Sequence, residues 1–125
     1  MKSIEPTEHQ IQSAFVQWCQ LNEPRIPKLR LAFACPNGGV RSKITAANLK
    51  AESVRPGVPD WMCPASNGRF RGMAIEFKRP APHRGHVTPS QREYIDLLRD
   101  EGWFVEVCYD TEEAIKMVER YFESR

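Results

Sequence analysis

Asp60, Glu76 and Lys78 are the residues whose types and placement could do chemistry. Asp60 ends the rigid loop Arg55-Pro56-Gly57-Val58-Pro59 and opens the apolar run Trp61-Met62-Cys63, while Glu76 lies inside the best buried-strand segment, Gly72 to Lys78. A carboxylate removed from water is costly unless something positive accepts it. A hard divalent cation would do so, and Mg²⁺ is held by one or two carboxylates together with waters and phosphate oxygens. Strand alternation places Ala74, Glu76 and Lys78 on one face and Ile75 and Phe77 on the other. The Lys78 ammonium then reaches a metal-bound water or the charge developing on a phosphate. Together the three residues suggest phosphodiester hydrolysis. Singly, each has an ordinary explanation: Glu76 and Lys78 as an edge-strand ion pair, Asp60 as a turn residue.

The elements that must position them can be read from periodicity and punctuation. Thr7 and Gln10 have the spacing of a capping box, and Ile11, Ala14, Phe15, Trp18 and Cys19 follow at helical spacing. Glu8 sits in the first turn of this helix, where its carboxylate either points inward beside Phe15 or simply favours the helix dipole. Leu29 to Cys35 reads as a strand entering the turn Pro36-Asn37-Gly38-Gly39, and Thr45 to Ser53 as a short helix. Asn67-Gly68 marks a turn before the Glu76 strand. Ser90 or Thr88 caps a helix to Glu101 with Gln91, Tyr94, Ile95 and Leu98 on its inner face; the Gln91 amide there could serve only to bond backbone. Gly102 ends that helix, Phe104 to Tyr109 is a strand, and Thr111 caps a last helix built on Ala114, Ile115, Val118, Tyr121 and Phe122. The order α, β, α, β, β, α, β, α, with no long linker, predicts one domain over residues 1–125, a central sheet flanked by helices.

Charge narrows the partner class only when taken by segment. The total over 125 residues is +2, which speaks against a tail-driven nucleic-acid binder. Residues 25–92, however, hold thirteen Lys and Arg against Glu52, Asp60 and Glu76, whereas residues 93–125 hold ten acids against four Lys and Arg. The basic middle can supply a phosphate-attracting face, or it can be an ordinary solvated surface. No segment has the length and apolarity of a membrane span or signal peptide, so a cytoplasmic protein is expected. Cys19, Cys35, Cys63 and Cys108 lack zinc-type spacing and read as reduced, mostly buried thiols. His83 and His86 form an H-x-x-H in a Pro/Gly-rich stretch with no obvious third ligand.

Pro59-Asp60 followed by Glu76-Phe77-Lys78 resembles the PD-(D/E)xK nuclease signature. The full series is Glu8, Pro36-Asn37-Gly38-Gly39, Leu49-Lys50-Ala51-Glu52, Pro56-Gly57-Val58-Pro59-Asp60, Ile75-Glu76-Phe77-Lys78 and Ser90-Gln91. In that order and spacing it resembles the stand-alone VRR-NUC domain, the virus-type replication-repair nuclease of phages and bacteria. The resemblance implies a restriction-endonuclease-like α/β fold, a mixed sheet with flanking helices, and Mg²⁺- or Mn²⁺-dependent DNA cleavage without a nucleotide cofactor. It would make Asp60 and Glu76 metal ligands, with the Phe77 carbonyl a further one. Lys78 would position or activate the attacking water. Glu8 would hold or orient the metal site, and Gln91 would support Lys78 or the phosphate.

Phosphate contacts position a duplex without reading its sequence. Arg41, Lys43, Lys50, Arg55, Arg79 and Arg84 flank the proposed site and are the expected phosphate partners, with hydrogen bonds from Asn37, Gly38 and Gly39. Nothing reads as a major-groove recognition helix, so DNA shape or junctions are the expected target. Stand-alone members of the family resemble Holliday-junction resolvases in being dimers, and symmetric cutting of a four-way junction requires two sites about a twofold axis. Trp61, Trp103 and the apolar residues near Ile44 could contribute to an interface or to the core. The competing functions are a non-catalytic DNA-binding or assembly module of the same fold and an RNA-directed nuclease.

Overall fold

A computed structural model describes residues 5–36 and 43–123, apart from the side chains of residues 43–45. Asn37, Gly38, Gly39, Arg41, and the side chains of Lys43 and Ile44 therefore lie outside the described residues.

The first helix, α1 (Glu8–Asn22), starts at the expected capping box. The Thr7 hydroxyl accepts from the Gln10 N–H at 3.1 Å and the Gln10 side chain accepts from the Thr7 N–H at 2.9 Å, satisfying two donors that a helix start leaves without partners. The expected strand from Leu29 to Cys35 shrinks to Phe33–Ala34 (β1), because Pro27 takes the first position of a 3₁₀ turn over Pro27–Leu31 that buries Leu29. Helix α2 spans Lys43–Ala51 rather than 45–53, and Ser53, at φ 73°, turns the chain out of it.

Four strands order as β1-β2-β3-β4, with β2 at Trp61–Cys63, β3 at Met73–Phe77 and β4 at Phe104–Cys108. The pairs β1–β2 and β2–β3 are antiparallel, while β3–β4 is parallel, with Glu76 opposite Val107. The parallel pair needs a crossover, and α3 (Pro89–Asp100) supplies it.

Alternation along β3 divides the core. Met73, Ile75 and Phe77 pack with Ile11, Phe15 and Cys19 of α1 and with Ala114, Val118 and Tyr121 of α4 (Thr111–Glu123). Ala74 faces the other way, onto Ile95 of α3 and Val105. All five residues of β3 are buried and strands flank it on both sides, so Glu76 is not on an edge strand. Trp61 is a core residue, 2% exposed and edge-on to Phe15 with ring centroids 4.9 Å apart, which removes it from any interface. Trp103 lies over Gly72, where an added Cβ would come within 2.7 Å of its ring. Cys19, Cys63 and Cys108 are buried free thiols, as expected, and Cys35 is half-buried.

One cap differs from expectation. Asp110, not Thr111, accepts from the Glu113 N–H at 2.7 Å at the start of α4. Thr111 instead donates its hydroxyl to the Ile11 carbonyl at 3.0 Å, tying α4 to α1.

Candidate active site

Three elements bring the acids and the lysine together. The Val58-Pro59-Asp60 segment is pinned from below by Gly57, whose φ is +83° and whose missing Cβ would sit 2.4 Å from the Ser90 carbonyl oxygen at the start of α3. Only glycine allows that approach and that backbone at once. Asp60 then meets β3 directly: its Oδ2 accepts from the Phe77 N–H at 2.8 Å. That N–H is what the structure records for Phe77 at the site.

Glu76 is 2% exposed and Lys78 is 7% exposed. Glu76 Oε2 accepts from Gln91 Nε2 at 2.8 Å and lies 3.4 Å from Lys78 Nζ, whereas Glu76 Oε1 is buried with no hydrogen-bond partner. An orphaned buried carboxylate oxygen calls for a partner.

Gln91 bonds backbone, one of the roles expected of it, and its other end meets Glu76 rather than Lys78. Its Oε1 accepts from the Thr88 N–H at 2.9 Å, and its own N–H donates to the Thr88 hydroxyl at 3.2 Å, completing the capping box of α3. Because the carbonyl end of the amide is taken by the helix cap, the NH₂ end must point at Glu76. Thr88, rather than Ser90, is thus the cap, and it sets the polarity of the group that meets the acid.

Burial, followed by repulsion from Asp60, pushes the Glu76 carboxyl up to about 8, against the pull of Lys78. Burial also raises Asp60; its hydrogen bond from Phe77 opposes that shift, and the Glu8 charge adds to it. Both shifts favour the protonated acids, and a bound cation would oppose them. Among the described residues, no three His, Cys, Asp or Glu side chains converge into a complete metal cluster. The donor set is a pair of carboxylates, one with an oxygen to spare, which suits a hard cation that keeps water and phosphate ligands.

Glu8, at the start of α1, is near enough for its charge to act on Asp60, and the two line one groove. A Cβ placed on Gly85 would meet the Lys78 Cδ at 3.2 Å and Glu8 Oε2 at 3.5 Å, so the loop backbone is wedged between these two side chains.

Residues 2–111 match the family model of the VRR-NUC domain. The chain belongs to the VRR-NUC family. A solved structure described as a VRR_NUC domain protein has the same fold, with a TM-score of 0.79 at 24% identity over 99% of this chain and 93% of that one. No curated protein matches the sequence. The VRR-NUC domain is a nuclease-type, DNA-processing module, and the mixed sheet with flanking helices is its fold. Since the solved structure covers nearly the whole chain, α4, which begins where the family match ends, is part of that fold. No helix among the described residues is long and apolar enough to cross a membrane.

The basic residues expected on the VRR-NUC surface divide into two groups. Lys50 and Arg55 are exposed on α2 and the loop leading to Asp60. Arg84 lies 4.0 Å above the Tyr109 ring. Arg79 is turned to Glu5, at 3.2 Å, with its Nε buried. Glu5 also takes His83 Nδ1 at 3.1 Å, so His83 has a carboxylate partner rather than a metal-type ligand set. Sequence reading missed Glu5 and Gly85, and it missed Gln12, whose Nε2 donates to the Asp60 carbonyl at 3.4 Å. Gln12 lies one turn after Glu8, so helical spacing was the available signal.

Proposed function

We propose that this VRR-NUC domain is a Mg²⁺- or Mn²⁺-dependent DNA endonuclease that cuts branched DNA, such as four-way junctions or flaps, and works as a homodimer. The observation that carries the reading is the carboxylate pair of half-buried Asp60 and buried Glu76, with the unpartnered Glu76 Oε1, set beside a buried lysine. Binding DNA alone has no use for negative charge facing phosphate. Asp60 and Glu76 would hold the cation, with the Phe77 carbonyl and Glu8 available to it. When bound, such an ion supplies Lewis acidity and lowers the pKa of a coordinated water.

The chain's own groups do the rest. The Phe77 N–H and Gln91 amide fix one oxygen each of Asp60 and Glu76, so both carboxylates are oriented before substrate arrives. Lys78 Nζ, held by Glu76, directs a positive charge toward the attacked phosphate and its water. Lys50, Arg55 and Arg84 would grip the sugar–phosphate backbone, which gives position without base sequence.

Purified protein with Mg²⁺ or Mn²⁺ is tested against labelled DNA and RNA duplexes, forks, flaps and four-way junctions. Cleavage of branched DNA, lost in Asp60→Ala and Lys78→Ala proteins, is expected. No cleavage of any DNA, or cleavage that survives both substitutions, overturns the reading. Cutting confined to RNA would assign an RNA-directed nuclease. Heat of Mg²⁺ binding that depends on Asp60 and Glu76 separates an enzyme from a binding module, and sedimentation tests the dimer.

A further inference from the structure

We propose that the groove along the solvent side of α1 seats the single strand of nucleic acid that runs on from the scissile phosphate. The inference rests on the nuclease reading of the carboxylate pair and adds to it a path for one strand.

Glu8 and Asp60 line a groove of about 1190 Å³ that continues between α1 and the chain from Ala34 to Pro36. A strand leaving the carboxylates therefore enters the groove without crossing a ridge. The volume exceeds the roughly 300–1,000 Å³ typical of small-molecule pockets, and the groove is open, so it suits a length of polymer better than a metabolite.

Its chemistry is unusual for an exposed helix. In 15 residues α1 carries one charged side chain, Glu8, at the end nearest the site. Ser13, Gln17 and Gln20 share one face at positions i, i+4 and i+7, turned away from the buried stripe of Ile11, Phe15 and Cys19. Among the described residues that line the groove, none is Lys or Arg. Duplex DNA binds chiefly through phosphate neutralisation, for which such a wall is poorly built. Amides and hydroxyls both donate and accept. They match the open hydrogen-bonding edges of unpaired bases, which a duplex keeps occupied. Gln12, on the same wall, already bonds the Asp60 carbonyl, so the groove and the carboxylate site share a residue.

The test uses the full-length, isotope-labelled protein with a chelator present to prevent cutting. A short single-stranded oligothymidylate and a blunt duplex are titrated separately and followed through the glutamine side-chain NH₂ signals. The Gln17 and Gln20 signals are expected to move with the single strand and not with the duplex, and to keep moving when salt is raised from about 50 to 200 mM, where phosphate-driven contacts fade. Gln17→Glu and Ser13→Trp should each weaken single-strand binding about tenfold, and raise KM on tailed substrates while leaving kcat and blunt-duplex KM unchanged. Glutamine signals that stay still, move equally with duplex, or coexist with unchanged affinity in both variants overturn the proposal. If the wild-type protein cuts no nucleic acid yet these signals move, the nuclease reading fails and the groove stands. If it cuts DNA and they stay still, the groove fails and the nuclease stands.

Discussion

Replacing Glu76 by glutamine should make the metal-free protein more stable at neutral pH and flatten its stability–pH profile. The side chain keeps its shape, its carbonyl oxygen can still accept from Gln91, and its new NH₂ group takes the place of the unpartnered Oε1. Glu76 ionises near 4.5 in the unfolded chain and near 8 in the folded one. Across that window the folded state holds the extra proton, so wild-type stability falls as pH rises. One proton is worth about 1.4 kcal/mol per pH unit, so roughly 3 kcal/mol is lost between pH 5 and pH 8, or on the order of 10 °C in Tm for a domain of this size. Urea or thermal unfolding in EDTA at several pH values, wild type against Glu76→Gln, isolates the titration of the Asp60–Glu76 pair because the groups outside it are common to both. Parallel pH profiles would refute the reasoning. So would a variant less stable than wild type at pH 8.

Gly57→Ala should cost about 2–3 kcal/mol, because the residue holds φ +83° and its new Cβ would meet the Ser90 carbonyl at 2.4 Å; chemical denaturation measures it. Gln91→Glu should leave the helix content by circular dichroism intact, since a carboxylate still accepts from the Thr88 N–H, but cleavage should fall about 10–100-fold as the donor to Glu76 is lost. Lys50→Ala and Arg55→Ala should each weaken DNA binding across all sequences and lower the logarithmic salt slope by about one, read by fluorescence anisotropy. Arg79→Ala should instead lower Tm, because its guanidinium is engaged by Glu5.

Local signals in the sequence proved the more legible. Threonine and glutamine three residues apart marked α1, Thr88 stood beside Ser90 as the cap of α3, and the alternation Ala74, Glu76, Lys78 against Ile75, Phe77 marked how β3 splits its two faces. What escaped was mostly long-range. Glu5 meets Arg79 and His83 across more than 70 positions, which leaves no periodic trace, and Gln12 meets Asp60 across 48, with only its helical spacing from Glu8 to hint at the site. The β1 error came from reading Leu29 to Cys35 as apolar and extended, although Pro27 had already committed the backbone to a 3₁₀ turn. Asp110 and Thr111 are adjacent and both cap well, and the choice fell to the contact between Thr111 and the α1 carbonyl of Ile11. Gln91 was expected either to bond backbone or to support Lys78 or the phosphate, but an amide has two ends, and the helix cap takes one while Glu76 takes the other.

The confinement of Lys78 between Glu76 and the backbone of Gly85 also has an entropic side. A lysine side chain surrenders on the order of 1.5–2 kcal/mol of rotamer freedom when it is ordered. Here the ammonium is already held and the stem packed, with 7% of the residue exposed. That disorder is given up once, when the chain folds, and does not have to be given up again each time a phosphate arrives.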